Sequence, residues 1–363
     1  MTDVKFFDSR QRYLLFVTTT NEKAIIAEKL SSLIKDLNPA KPALKIFDAG
    51  VGDGAVLMNV LRICHQKFPT IPFYVSCKDV SMEDARITIE KLADRFVEHP
   101  NMVFVISNLH YTEAGYLKSN NPDKQKKMNW NEISLEGDSS FGFYEQLRKL
   151  GPLLKENWRV EENKSGNTTY ETPSAVIIYR KDHEYTLDQI IPSRDESINK
   201  FDLVIVSQAY RSRASAEQKV KRVVKPMTDL IAPNGKLAIF HSFGADPGIR
   251  AINELWPEEN PFPNSGVDMI KYLKTNYDIQ NLIFKDPELF QYKLRSQPNE
   301  INSGIATSLV FSAWNACTYV GQISDEMVKE KESDQSYIKC IENIIRDNDG
   351  LWFNDELLVI ERN

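Results

Sequence analysis

The segment 45–54, Lys-Ile-Phe-Asp-Ala-Gly-Val-Gly-Asp-Gly, narrows the possible folds more than any other stretch of the chain. An apolar run ends in Asp48, glycines follow at Gly50, Gly52 and Gly54, and Ala55-Val56-Leu57-Met58 opens a helical pattern. A strand, a tight turn and a helix start in succession predict a unit whose glycines let the backbone approach a ligand closely. Loop amides and a helix start favour a carboxylate or phosphate, so a nucleoside-bearing ligand suits the turn.

The neighbouring periodicity extends this unit. Ile25, Ile26, Leu30, Leu33 and Ile34 share one side of a helix expected over 22–37, which Asn38-Pro39 ends. Strands are expected at 44–47, 71–77 and 102–106, alternating with helices from 55 to 66 and 82 to 97. This rhythm predicts a parallel sheet covered on both faces. From 110 to 200 the sequence turns polar, around a helix expected at 143–154 and short β-runs near 168–170 and 175–179. Such a stretch is too long for a structureless loop and reads as an insertion. The alternation resumes with a strand at 201–206, a helix over 214–230 and a turn and strand over 231–240. A helix at 267–277, a strand at 279–284, a helical stretch over 305–345 and a last strand at 356–360 complete the chain.

Composition excludes several classes. A formal net charge of −6 argues against a nucleic-acid partner, and Lys124, Lys126 and Lys127 read as a solvated loop. The four cysteines are far apart and lack metal-ligand spacing, so reduced thiols and no metal are expected. No charged-then-apolar leader opens the chain, and no apolar run approaches the roughly 18 residues that span a bilayer. A cytoplasmic protein without a membrane partner, monomeric or homodimeric, is the expectation.

Two ligands use a glycine turn of this kind. Gly50, Gly52 and Ala55 satisfy G-x-G-x-x-A, which allows a dinucleotide. Asp48, however, would repel a pyrophosphate, whereas it can accept a hydrogen bond from an ammonium or its bridging water. The sheet also begins late, after a helix. The strand at 201–206, its helix and the Pro233-Asn234-Gly235 turn before the next strand then follow in order. With Asp48-x-Gly50-x-Gly52-x-Gly54, this set resembles the class I S-adenosylmethionine-dependent methyltransferases over 40–110 and 200–245. Within them, the N-terminal helix, the acid at the end of strand two and the closing segment from Gly350 to Glu361 resemble the layout of histamine N-methyltransferase, from which the long insertion departs.

The resemblance implies an α/β fold: a Rossmann-like, mostly parallel seven-stranded sheet with helices on both faces. A long insertion would follow strand three, and an extra helical section would lie at the C-terminus. The implied organisation is an N-terminal helical cap (1–40), a core (41–109 and 201–363) and an insertion or lid for substrate recognition (110–200). S-adenosylmethionine would bind along Gly50, Gly52 and Gly54, with Asp48 toward its ammonium and Asp79 on the ribose hydroxyls. Ser107 or Asn108 would meet the adenine, and Ser207 would join the cofactor set. Asp79 also reads as a helix-start charge, with Ser81 as the cap. Ligands of open α/β sheets lie beyond the carboxyl ends of the strands, which points to Tyr210 as an aromatic wall and His241 as a candidate base. Residues 10–13 are expected over the mouth of the site, Thr20 or Asn21 as a helix cap, Trp256 in a substrate loop and Trp314 in the core. The acceptor would be a small molecule with a nitrogen nucleophile. The alternatives are a protein or peptide acceptor docked on the insertion, an NAD(P)-dependent reductase, or a non-catalytic nucleoside-binding module.

Overall fold

The computed structural model describes residues 10–162, 168–194, 196, 198–295 and 306–363. Its strands are β1 (Leu44–Asp48), β2 (Phe73–Lys78), β3 (Met102–Ser107), β4 (Asn129–Leu135), β5 (Val160–Glu162) and β6 (Thr168–Tyr170). They continue with β7 (Ser174–Arg180), β8 (Phe201–Ser207), β9 (Ile231–Ser242), β10 (Leu282–Phe284), β11 (Glu288–Lys293) and β12 (Trp352–Arg362). The main sheet runs β10-β12-β9-β8-β1-β2-β3-β7-β4, with β11 paired to the other half of β12. Strands β3, β2, β1, β8 and β9 are mutually parallel, and β12 is antiparallel to both β9 and β10.

The expected seven strands are therefore present as β3-β2-β1-β8-β9-β12-β10, and the full sheet has ten. Two of the additions, β7 and β4, come from the insertion and extend the sheet beyond β3. Asn129–Leu135 shows little hydrophobic alternation, so it became legible as a strand only through its pairing with β7.

Both faces of the core strands are buried, which is why their sequences are continuously apolar. Ile46, Val75, Phe104 and Ile205 face one helical layer, while Phe47, Val103, Val105 and Val204 face the other. A third cluster joins Phe16 to Ile252, Trp314, Cys317, Ile341 and Ile344. It packs the N-terminal helix Arg10–Thr19 against the C-terminal helix Ala306–Val320. Three expected helices are divided. Residues 82–97 form helices Met82–Glu90 and Ala93–Glu98, and Lys149-Leu150 separates Ser140–Arg148 from Gly151–Asn157. The stretch over 305–345 is three helices, Ala306–Val320, Asp325–Asp334 and Ser336–Asp347. No helix among the described residues is long and apolar enough to cross a membrane.

Candidate functional site

The carboxyl ends of β1 and β2 frame the glycine loop. Gly52 and Gly54 take positive φ values of 53° and 77°, where an L side chain is strained. A Cβ on Gly54 would also fall 2.7 Å from Thr88 Oγ1, and one on Gly52 would fall 2.8 Å from Tyr13 OH. Gly50 differs, because its Cβ would meet only Ala209 Cβ, at an ordinary 3.6 Å.

The two acids grip this loop from either side. Asp48 Oδ1 accepts the Gly50 N–H at 3.2 Å. Asp79 Oδ2 accepts the Gly52 N–H at 2.9 Å, and its Oδ1 accepts the Ser81 N–H at 2.8 Å. Ser81 caps the following helix by accepting the Asp84 N–H at 3.3 Å, so Asp79 stands at a helix start as well as beside the loop. Burial pushes the Asp48 carboxyl up to about 7. Burial, together with the charge on Asp84, pushes Asp79 up to about 6. Two loop amides that a phosphate would need are thus already held by carboxylates.

The N-terminal helix, which carries residues 10–13, lies against this loop. Tyr13 OH donates to Asp53 Oδ1 at 3.3 Å, and Arg10 reaches Asp84 at 2.9 Å. Asn21 precedes the next helix, but its side chain makes no cap bond there. It accepts the Lys293 N–H at 2.7 Å instead, while Thr20 bridges to Leu294. These residues tie β11 to the helix start.

Across the loop, the ends of β8, β9 and β12 carry a second polar group. Gln208 sits at φ 52°, a sparsely populated conformation for a residue with a side chain. Its Nε2 donates to Ser242 Oγ at 3.2 Å and to Asp355 Oδ2 at 3.1 Å. Asp355 is fully buried and its Oδ1 has no hydrogen-bond partner among the described residues. Burial and then the Glu22 charge hold its carboxyl well above the usual range. Glu22 is buried and lies 3.0 Å from Lys23 Nζ. Among the described residues, Ser207 Oγ and the hydroxyls of Tyr210 and Tyr292 are also buried without a partner. A wall with this many unpaired acceptors and hydroxyls is suited to a polar or cationic ligand.

His241 lies behind Tyr210, with ring centroids 6.2 Å apart. It is buried, and its Nε2 is 2.8 Å from Glu356 Oε2, which also accepts the Gly266 N–H at 2.6 Å. The carboxylate fixes the proton on Nε2 and leaves Nδ1 as the basic nitrogen. Burial pushes the imidazole below its ordinary range, against the opposing pull of the Glu356 carboxylate. Lys219, buried at the start of a π-helical turn, stands 5.4 Å from the Tyr210 ring. Burial lowers its ammonium to about 8.

Other expected residues lie elsewhere. The Asn108 carboxamide is committed to the insertion backbone, and the adjacent Ser107 hydroxyl is buried without a partner among the described residues. Trp256 is not in an open loop but stacks on Trp314, with centroids 5.6 Å apart in the C-terminal core. Trp314 is buried as expected. Glu22, Asp355 and Lys219 were not singled out by sequence, and Gln208 was expected beyond a strand end but given no role. Gln208 adjoins Ser207, and Asp355 lies within the closing segment, but only pairing β12 with β9 brings them together. Two open hollows, of about 480 Å³ beside Phe141 and Tyr144 and about 750 Å³ beside Ile190 and Pro192, are lined by none of these residues.

No family profile and no curated protein matches the chain. Among solved structures it is similar to a SAM-dependent methyltransferase from Archaeoglobus fulgidus, at 8% identity over 94% of each chain and a TM-score of 0.32. It is also similar to the [4+2]-cyclase SpnF, at 9% identity over 92% of this chain and 81% of the other, with a TM-score of 0.35. Coclaurine N-methyltransferase, bound to N-methylheliamine and SAH, is similar at 9% identity over 92% and 70%, with a TM-score of 0.35. Likeness this distant carries no weight, and the site chemistry rests on the residues described above.

Proposed function

We propose that this protein is an S-adenosylmethionine-dependent methyltransferase acting on a small molecule with a basic nitrogen. The observation that carries this reading is the pair of buried acids, Asp48 and Asp79, holding the amides of the glycine loop. A dinucleotide pyrophosphate would meet negative charge and occupied amides there. A ligand with an ammonium and a ribose diol finds acceptors in both places. The antiparallel β12 between β9 and β10 also departs from the six-stranded dinucleotide order, which supports the same choice.

Asp48 would hold the ammonium, Asp79 the ribose hydroxyls, and the backbone at Gly50 would pass alongside. When bound, S-adenosylmethionine supplies a methyl group on an electrophilic sulfonium. The chain's own task is then alignment, exclusion of water and removal of a proton. Gln208 and Asp355, with the Glu22–Lys23 pair beside them, would receive the acceptor, because Asp355 keeps an oxygen without a partner among the described residues for a hydrogen-bond-donating nitrogen. Tyr210 forms the aromatic wall. His241, Glu356 and Lys219 brace that wall from behind.

Thermal melts with S-adenosylhomocysteine and with NADH test the reading, since a native-state ligand raises stability by mass action. Stabilisation by the former is expected, and stabilisation by NADH alone would sink the proposal. Transfer of labelled methyl from S-adenosylmethionine to a panel of small amines then tests the acceptor class.

A further inference from the structure

The insertion touches the molecule at a place that a lid over the acceptor would not require. Its helices Ser140–Arg148 and Gly151–Asn157 pack along helices Met82–Glu90 and Ala93–Glu98, beside β2 and β3. Trp158 follows directly, is 3% exposed, and its Nε1–H donates to the carbonyl of Asp79 at 2.9 Å. Asn108 Nδ2 donates to Asn157 O at 3.1 Å and to Thr172 O at 2.9 Å, while its Oδ1 accepts the Ser174 N–H at 2.8 Å. Ser174 Oγ closes the group by donating to Asn157 O at 3.0 Å.

The turn after β2 is therefore fastened to Trp158, and the turn after β3 to the adjoining Asn157 and to 172–174, so the insertion joins the two turns through 157–158. In the methyltransferase reading, on which this inference rests, those turns receive the ribose and the adenine. We propose that the insertion is part of the nucleoside site and that Trp158 is a positioning residue for Asp79. Asp79 must keep one oxygen on Gly52 and the other on Ser81 while its remaining lone pairs accept the ribose hydroxyls. An indole bond to its own carbonyl fixes the peptide that sets this orientation. Asn108 serves the same end by spending its carboxamide on the insertion rather than on a ligand.

Calorimetric titration with S-adenosylhomocysteine and with 5′-methylthioadenosine, which lacks the amino-acid tail, tests the assignment. Trp158→Phe keeps a buried ring but removes the donor, so affinity for both ligands is expected to fall by the same factor, about threefold to tenfold. Asp48→Asn is expected to weaken S-adenosylhomocysteine alone. Hydrogen exchange on the wild-type chain provides a readout that does not depend on a variant folding. Binding of 5′-methylthioadenosine should slow exchange at 157–158 and at Ser174. If Trp158→Phe binds both ligands like wild type, or exchange at those amides is unchanged, the inference fails alone. If the wild-type chain binds neither ligand, the methyltransferase reading fails and takes this inference with it.

Discussion

Gly50 and Gly54 belong to the same turn, yet different forces hold them as glycine. Gly54 needs its positive φ and has Thr88 against the missing Cβ, so Gly54→Ala should destabilise the fold by about 1–3 kcal/mol in urea titration. Gly50 has neither constraint, so Gly50→Ala should leave the urea midpoint near wild type while lowering affinity for S-adenosylhomocysteine. The same residue scale sets a pH dependence. Asp48 is held near 7 by burial, above the unfolded carboxyl value of about 3.9. The folded chain therefore keeps a proton that the unfolded chain releases. That contribution to stability is complete below about pH 4 and is lost as pH rises through about 7. A bound ammonium takes the proton's place, so affinity for S-adenosylhomocysteine should rise over the same window. Asp48→Asn should make both slopes shallower in melts and titrations run across that range, the remainder coming from other buried carboxyls such as Asp79.

At the scale of elements, the N-terminal helix and the split strand β12 complete what the glycine loop begins. Helix Arg10–Thr19 is attached to the loop through Tyr13 and to the start of helix Met82–Glu90 through Arg10, while its apolar side, at Phe16, is held by the C-terminal cluster. The Arg10–Asp84 pair is partly exposed, so breaking it costs little, about 0–1 kcal/mol. Arg10→Ala is thus expected to leave the melting temperature nearly unchanged and to speed release of S-adenosylhomocysteine in stopped-flow measurements. Unchanged release would mean that the helix does not gate the ligand. Strand β12 contributes through register. Its pairing sets Asp355 opposite Ser242 and Glu356 opposite His241, delivering neighbouring acids to opposite faces of the sheet. A shift of one residue would exchange the Gln208 contact for the His241 contact.

On the scale of the whole molecule, the C-terminal helices support the site from outside the sheet. Trp314 stacks between Trp256 and Tyr337, and the next residue, Asn315, donates to Arg12 O at 3.0 Å. Trp314→Ala should cost about 3–5 kcal/mol in denaturant unfolding. It should also weaken S-adenosylhomocysteine binding, because the N-terminal helix loses its backing; unaltered affinity in the folded variant would count against that coupling.

Local rules made the first half of the site readable. The acid, the glycines and the helix start at 48–55 are contiguous, and so are Asp79 and its capping Ser81. Strand and helix periodicity likewise gave the core order from β1 to β9. Strands β4 and β11 escaped notice because a short polar strand is defined by its neighbours, not by its own residues. The polar wall across the loop was illegible for the same reason: Glu22, Gln208 and Asp355 lie far apart in sequence and meet only when β12 inserts beside β9. Asn108 shows the reverse case, since its position after β3 suggested a ligand contact and tertiary packing spent its carboxamide on the insertion. Sequence alone determined the turn chemistry, which depends on residues a few positions apart. Tertiary structure decided which distant acids share a low-dielectric space, and so how the site is charged.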